Sequence, residues 1–176
     1  MPRVSSGGHV LYLVRHAIAA ERGPGYPDDE KRPLTRAGVR RFREAVRGLQ
    51  AVGVELDLIL TSPLARAVET ARLLHAGFGD AQMTVWDALE PAVASKQTLT
   101  SLREHRRHAR IALVGHEPAL GALAAELLRT PIPVPFKKGG VCCLGVSALP
   151  PLEPATLVWM ATPRILRCAG AVSPRR

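Results

Sequence analysis

Two histidines and two arginines each come shortly after an apolar run of the sequence. They are Arg15, His16, Arg66 and His116, and the runs span 10–14, 56–60 and 111–114. An imidazole can act as a nucleophile, and a guanidinium binds phosphate oxygens through several N–H groups at once. Each residue alone is most simply a structural histidine or a surface charge. The four together, behind three apolar runs, indicate a site for phosphoryl chemistry.

Arg66 has the least ordinary position of the four. Ser62 and Pro63 predict the start of a helix, because serine caps helices and proline suits the first helical position. Arg66 then lies in the first turn, where a cation opposes the helix macrodipole. This costs stability unless an anion is bound nearby, and the free backbone N–H groups of a helix start are themselves anion ligands. The segment therefore favours a phosphate site.

The elements that must position these residues alternate between strands and helices. Apolar runs predict strands at 10–14, 56–60, 83–86, 111–114, 141–146 and 156–160. The spacing of apolar residues predicts helices from near Arg36, from Pro63, over 95–108 and after Pro118. The alternation predicts an α/β fold with a mostly parallel sheet, its last two strands antiparallel at an edge. Ligands of such sheets bind outside the carboxyl ends of the strands, where the histidines and arginines stand.

The composition predicts one globular domain over residues 1–176. The chain is 47% hydrophobic and 22% charged, which excludes a disordered protein. We expect a core at about 10–163, with 1–8 and the loosely held 165–176 at the periphery. No run approaches the ~18 apolar residues of a membrane helix, and the 3 cysteines form no disulfide framework, so we expect a cytoplasmic protein without a membrane partner. A net charge of +9 attracts phosphates or acidic surfaces.

Several other phosphate and hydrolase chemistries lack their motifs in this sequence. It contains no Gly-x-x-x-x-Gly-Lys loop of the P-loop nucleotide hydrolases and no Gly-x-Ser-x-Gly elbow of the serine hydrolases. No Asp-x-Asp follows the first predicted strand, and no carboxylate pair with metal-ligand spacing stands near the strand ends. The acidic cluster at 28–30 is interpreted as a solvated loop rather than a metal site.

Four motifs, in order, resemble those of the histidine phosphatase superfamily. They are Arg15-His16-Ala17, Arg32-Pro33-Leu34-Thr35-x-x-Gly38, Ser62-Pro63-Leu64-x-Arg66-Ala67-x-x-Thr70 and Val114-Gly115-His116-Glu117-Pro118. The short length, without an inserted cap domain, is most similar to the SixA-like phosphohistidine phosphatases. The resemblance covers roughly residues 10–163. It implies a phosphoglycerate mutase-like fold, which is a single three-layer domain with helices on both faces of the sheet.

The resemblance also implies roles for five residues. His16 would be the nucleophile that takes the phosphoryl group as a covalent phosphohistidine, which water then hydrolyses. Arg15, Arg66 and His116 would bind the phosphoryl oxygens, and Arg32 would reach in from the following loop. No metal and no other cofactor would be needed. We expect the neighbouring cations to lower the pKa of His16 and keep it neutral, as an attacking imidazole must be.

Two positions depart from the family pattern. Ala17 stands where glycine is commoner, and the only candidate for the carboxylate that protonates a leaving oxygen is Glu90. An exposed loop carboxylate is an equally good interpretation of Glu90. A weak acid site would suit a phosphohistidine substrate, whose P–N bond is labile. We therefore predict a phosphatase whose partner is a histidine-phosphorylated protein.

Two alternatives stay open at this point. The first is a phosphomonoesterase of the same superfamily that acts on small metabolites or on a broad set of esters. The second is a non-catalytic module for phosphorylated ligands or nucleic acid, suggested by the arginines of 36–47. We interpret those arginines as a solvated helix face, and with only 4% aromatic residues to stack on bases we do not expect nucleic acid as a partner.

Overall fold

A six-stranded sheet forms the centre of the protein. The structure is a computed structural model and describes residues 8–172. The strands are β1 (His9–Arg15), β2 (Leu58–Thr61), β3 (Gln82–Val85), β4 (Arg110–Gly115), β5 (Val141–Val146) and β6 (Thr156–Ala161). The α-helices of this part of the chain are α1 (Arg36–Ala51), α2 (Ala65–Gly77), α3 (Ser95–Ser101), α4 (Ala119–Leu128) and α5 (Pro163–Val172). None of these helices is long and apolar enough to cross a membrane.

The strand order places the ends of β1, β2 and β4 side by side. The sheet runs β3-β2-β4-β1-β5-β6, and its first four strands are mutually parallel. β5 is antiparallel to β1 and to β6, so the last two strands form an antiparallel pair at one edge of the sheet, as predicted. Arg15 is in register with Gly115, and Thr61 with Val114. The residues that follow these three strands therefore leave the sheet at the same edge.

The central strands are buried on both faces, which explains the continuous apolar runs of β1 and β4. Alternate β1 residues, Tyr12 and Val14, face a core formed with α1, α2 and α5. The residues between them, Leu11 and Leu13, face a second core that is dominated by the leucines of α4. The fold is thus the predicted α/β domain of three layers, with helices on both faces.

Two predicted helices differ from the observed ones. α2 begins at Ala65 rather than Pro63, and Leu64 is its cap residue without a side-chain hydrogen bond. The predicted cap, Ser62, instead places its hydroxyl oxygen 2.8 Å from a ring nitrogen of His116. The helix predicted over 95–108 is α3, which ends at Ser101 and continues as a 3-10 turn over Leu102–His105.

The expectation that the chain is loosely held from Ile165 onward is wrong for residues 165–172. They belong to α5, whose Leu166 is buried against α1. The helices meet at Gly48, where an added Cβ atom would lie 1.8 Å from the Leu166 carbonyl oxygen. α5 was not predicted, although its apolar residues have helical spacing, because the helix is short and Leu166 is its only buried residue. Residues 1–7 and 173–176 lie outside the described part of the chain, so their predicted peripheral position is not addressed.

Candidate active site

His16 follows β1 and is held on both sides by backbone hydrogen bonds. Its N–H donates to the Gly115 carbonyl over 3.0 Å, and its carbonyl accepts from the Gly139 N–H over 3.0 Å. Gly139 has a φ of +78°, a conformation that favours glycine, and its N–H also reaches the Arg15 carbonyl. The imidazole of His16 is only 5% exposed. The backbone thus fixes a buried histidine at the edge of the sheet.

The hydrogen bonding of the His16 ring identifies its free nitrogen. Nδ1 lies 2.7 Å from the carbonyl oxygen of Ala17. A carbonyl oxygen can only accept, so Nδ1 carries the proton and Nε2 keeps its lone pair. Burial lowers the pKa of His16 to about 4, and the positive charges of Arg66, Arg15 and Lys138 act in the same direction. The ring is therefore neutral at pH 7, with burial rather than the expected cations as the main cause.

His116 lies beside His16 with one ring nitrogen unoccupied. The two ring centroids are 5.1 Å apart at an interplanar angle of 50°. Nε2 of His116 is 2.8 Å from the Ser62 hydroxyl oxygen, whereas Nδ1 is buried and has no hydrogen-bond partner in the described part of the chain. Burial, together with His16 and Arg66, lowers the pKa of His116 to about 3. This second histidine is also neutral at pH 7.

Arg15 is positioned through the backbone of a distant loop. Its Nη1 donates to the Phe136 carbonyl over 2.5 Å. The N–H of the same residue, Phe136, donates to Oε1 of Glu117 over 2.9 Å. The Nε of Arg15 is buried and has no partner. Glu117, the residue after His116, thus supports the peptide that holds Arg15.

Asp29 joins the other two predicted phosphate ligands. Arg66 donates from Nη1 to the Asp29 carbonyl over 2.7 Å and from Nη2 to Oδ2 over 3.0 Å. Arg32 donates from Nε to Oδ1 over 3.0 Å and from Nη1 to the Ala20 carbonyl over 2.6 Å. The interpretation of 28–30 as a solvated loop is therefore wrong for Asp29. Partial burial would raise the pKa of Asp29, but Arg66 and Arg32 outweigh it and keep this pKa below its usual range.

Glu90 lies on the His116 side of the site. It is half-buried, directly after the 3-10 turn Asp87–Leu89, and it lines a small cavity together with His116 and Gly115. Its backbone N–H donates to the Asp87 carbonyl over 2.9 Å. Within residues 8–172 its carboxylate has no hydrogen bond or ion pair that would fix its direction.

Sequence reasoning assigned no role to three residues that build the site, namely Asp29, Thr70 and Glu117. Thr70 and Glu117 stand inside recognised motifs, and Asp29 lies shortly before the motif that begins at Arg32. Thr70 accepts from the Ala17 N–H over 3.0 Å and donates to the Arg66 carbonyl over 2.7 Å, so it ties α2 to the loop after β1. All three act through contacts between segments that are far apart in the sequence, and spacing alone cannot show such contacts.

Three buried polar atoms at this edge have no hydrogen-bond partner within residues 8–172: Nε of Arg15, Nε of Arg66 and Nδ1 of His116. Buried polar groups are almost always paired, and an unpaired one is costly. These atoms come from β1, α2 and the segment after β4. Arg15 and Arg66 are close enough to lower the pKa of both histidines. Among the described residues no group of three or more His, Cys, Asp or Glu could hold a metal ion. The arrangement can bind an anion beside a neutral nucleophile.

Two sequence comparisons identify relatives of this chain. The family model "Histidine phosphatase superfamily (branch 1)" matches residues 11–91. An uncharacterized protein of Picosynechococcus is 37% identical over 142 residues, which cover 78% of this chain and 86% of the relative.

Similar solved structures include a SixA protein histidine phosphatase complexed with tungstate. Its TM-score is 0.79 at 24% identity, over 89% of this chain and 99% of that one. The alpha-ribazole phosphatase of Shigella flexneri has a TM-score of 0.66 at 18% identity, over 88% and 96%. A phosphoserine phosphatase of Entamoeba histolytica, in complex with 3-phosphoglyceric acid, has 0.66 at 16%, over 90% and 99%. At these identities the structures establish a shared fold.

Proposed function

The chain belongs to the histidine phosphatase superfamily, and we propose that it removes the phosphoryl group from phosphohistidine on a protein, without a metal, through a covalent intermediate on His16. The observation that carries the proposal is the set of three buried, unpartnered polar atoms beside a neutral His16. Two guanidinium N–H groups and one imidazole nitrogen can bind the oxygens of one phosphoryl group.

The histidine tautomers fit these roles. If the Ser62 hydroxyl donates to Nε2 of His116, Nδ1 carries the proton and can donate to a phosphoryl oxygen. Nε2 of His16 then has its lone pair free for attack, because Nδ1–H is bound to the Ala17 carbonyl. The His16 assignment follows from its carbonyl partner, whereas the His116 assignment depends on the Ser62 hydroxyl acting as the donor.

The first chemical step forms one P–N bond and breaks another. Nε2 of His16 attacks the phosphorus, and the substrate imidazole, protonated on its other nitrogen, leaves as a neutral ring. The phosphorylated His16 is then an imidazolium, and its Nδ1–H donates to the Ala17 carbonyl. Arg15, Arg66 and His116 stabilise the charge on the three phosphoryl oxygens throughout the transfer. In the second step water attacks the phosphorus, Nε2 leaves with its electron pair, and the product is dihydrogen phosphate, which keeps both protons of the water.

The carboxylates near the site favour a P–N substrate over a phosphate ester. An ester needs a proton for its leaving oxygen, whereas a protonated imidazole leaves neutral without an acid. Asp29 cannot supply the proton, because Arg66 and Arg32 keep it ionised. Within residues 8–172, no hydrogen bond or ion pair aims the Glu90 carboxylate at the site. The second candidate, a phosphomonoesterase, is favoured by one observation, which is the cavity that Glu90 shares with His116.

Phosphate release from a histidine-phosphorylated carrier protein tests the proposal. We expect the wild type to be active, His16→Ala to be inactive, and Glu90→Gln to retain activity. His108→Ala is the matched control, because His108 precedes β4 at the opposite edge of the sheet. Acid quenching during turnover should trap phosphate on His16.

Two results would replace the proposed function with another one. If the carrier is not a substrate but p-nitrophenyl phosphate is hydrolysed through both His16 and Glu90, the protein is a phosphomonoesterase. If neither compound is hydrolysed, a non-catalytic phosphate-binding module is the better description.

A further inference from the structure

A groove next to the candidate active site is lined by cations that the mechanism does not use. It encloses about 330 Å³ between the start of α1, residues 137–139 and the start of α5. The cations that line it are Arg41, Lys137, Lys138, Arg164 and Arg167. The groove has the volume of a ligand site.

The groove is lined by residues that adjoin His16. Ala17, the next residue in the chain, lines it, and so does Gly139, whose N–H donates to the His16 carbonyl. Lys138 lines the groove and is also close enough to lower the pKa of His16. A substrate whose phosphoryl group lies at His16 can therefore extend into the groove.

The charges of the groove are almost entirely unbalanced. Among the residues that the structure describes, no carboxylate lines it. Within residues 8–172, Arg167 is the only one of its five cations with a carboxylate within 4.0 Å, namely Glu44 at 3.5 Å. Like charges that cluster without partners repel one another and attract an anionic ligand. Ile18 and Pro163 are half-exposed and give the groove an apolar part as well.

The groove differs from the site at His16 in how its cations are held. Arg41, Lys137, Lys138 and Arg164 are exposed, and none of the buried unpartnered atoms of the described residues belongs to the groove. A pocket specific for phosphate would use buried donors with fixed positions, such as those of Arg15 and Arg66. Flexible, solvated cations spread along a groove are better suited to several carboxylates on another protein's surface.

We propose that this groove docks an acidic segment of the phosphorylated protein, with carboxylates against Arg41, Lys137 and Arg164 and an apolar side chain against Ile18 and Pro163. The inference rests on the proposed function, because it names the part of the substrate protein that is recognised beside the phosphohistidine. It gives the enzyme a preference for phosphohistidines that have acidic neighbours.

Two synthetic peptides test the preference. Each carries one phosphohistidine, which is flanked on both sides by glutamates in one peptide and by glutamines in the other. For the wild type at low salt we expect kcat/KM to be about three- to tenfold higher for the acidic peptide, the size expected of a few exposed ion pairs. The ratio should approach one in about 1 M salt, where the screening length is about 3 Å.

A pair of triple variants assigns the preference to the groove. In the groove variant Arg41→Gln, Lys137→Gln and Arg164→Gln are combined, whereas Lys138 is kept because it lies near His16. In the control variant Arg40→Gln, Arg43→Gln and Arg47→Gln remove the same charge from another face of α1. We expect the ratio of acidic to neutral peptide to fall to about one in the groove variant alone, measured against each enzyme's own turnover of the neutral peptide.

The outcomes separate this inference from the proposed function. Equal turnover of both peptides by the wild type, or equal loss of preference in both variants, overturns the docking groove and leaves the phosphatase intact. Turnover of neither peptide overturns the proposed function itself, and the docking inference with it. A preference for fructose 1,6-bisphosphate over fructose 6-phosphate that is lost in the groove variant would replace the acidic segment with a second phosphate.

Discussion

Replacing Glu117 with alanine should reduce turnover, although in this structure Glu117 reaches the site only through another residue. Its Oε1 accepts the Phe136 N–H, and the Phe136 carbonyl accepts Nη1 of Arg15. Gly121 of α4 makes room for this arrangement, since an added Cβ would lie 2.7 Å from the Val134 carbonyl oxygen and 3.0 Å from a Glu117 carboxylate oxygen. The alanine variant removes the only acceptor that the described residues provide for the Phe136 N–H.

The expected magnitudes follow from these contacts. Phe136 is 3% exposed, and a buried N–H without a partner costs about 1–3 kcal/mol. For a domain of this size, about 2 kcal/mol corresponds to a fall in Tm of roughly 4–8 °C. The peptide that holds Arg15 can then move, and a shift of about 1 Å in a positioned group can lower turnover about 100-fold. We therefore expect kcat/KM to fall about 10- to 100-fold in Glu117→Ala.

The assay pairs turnover with thermal unfolding in three variants. kcat/KM is measured at 25 °C on p-nitrophenyl phosphate, or on a phosphohistidine peptide if the ester is not hydrolysed. Glu117→Gln keeps an oxygen acceptor and should restore most of the activity. Asp57→Ala is the control, because Asp57 accepts the backbone N–H groups of Ala109 and Arg110 at the opposite end of β4. It should lower Tm without lowering kcat/KM.

The reasoning fails if Glu117→Ala lowers Tm but leaves kcat/KM within about twofold of the wild type, as Asp57→Ala should. In that case Glu117 would only stabilise the loop, and the position of Arg15 would not depend on the Phe136 peptide. It also fails if Glu117→Gln is as inactive as the alanine variant, since the acceptor oxygen would then not be what matters.

Two further predictions concern stability. The pKa of His16 falls from 6.5 in the unfolded chain to about 4 in the folded protein, so the unfolded state binds more protons in this range and stability is lost as pH falls. Between pH 7 and pH 5 the free energy of unfolding of the wild type should fall by about 2 kcal/mol more than that of His16→Asn, as measured by urea unfolding. Equal losses in the two proteins would refute the burial of a neutral His16. Gly48→Ala should lower the free energy of unfolding by about 1–3 kcal/mol, because its Cβ would lie 1.8 Å from the Leu166 carbonyl oxygen. Gly79→Ala is the control, because nothing lies within 4 Å of its Cβ position, and it should leave thermal unfolding unchanged.

The sequence was sufficient to predict which residues meet at the candidate site, because these residues adjoin buried strands. The apolar runs of β1, β2 and β4 fix the sheet, and a parallel arrangement brings the residues after them to one edge. His16, Arg66 and His116 were identified in this way. The apolar runs also predict the strand ends to within about two residues, because a run of apolar residues ends where the strand leaves the core.

The contacts that complete the site join segments that no local pattern relates. Asp29 is 37 residues from Arg66, and Phe136 is 121 residues from Arg15. Ser62 has the features of a helix cap, but its hydroxyl binds His116 because the parallel pairing of β2 and β4 puts both residues at adjacent strand ends. In each case a tertiary contact decides the partner of a polar side chain, and the sequence shows only that it needs one.

The pairing of Arg66 with Asp29 explains how a cation cluster can exist before the substrate binds. A guanidinium has five N–H groups, and Asp29 accepts one from each Nη of Arg66. Nε–H and one N–H on each Nη remain, so a phosphoryl group can bind Arg66 without displacing Asp29. The carboxylate meanwhile offsets the repulsion between Arg66 and Arg32, which it binds through Oδ1. Asp29 thus holds the guanidinium in place before the reaction, and a donor that is already fixed needs no reorganisation when charge develops on the phosphoryl oxygens.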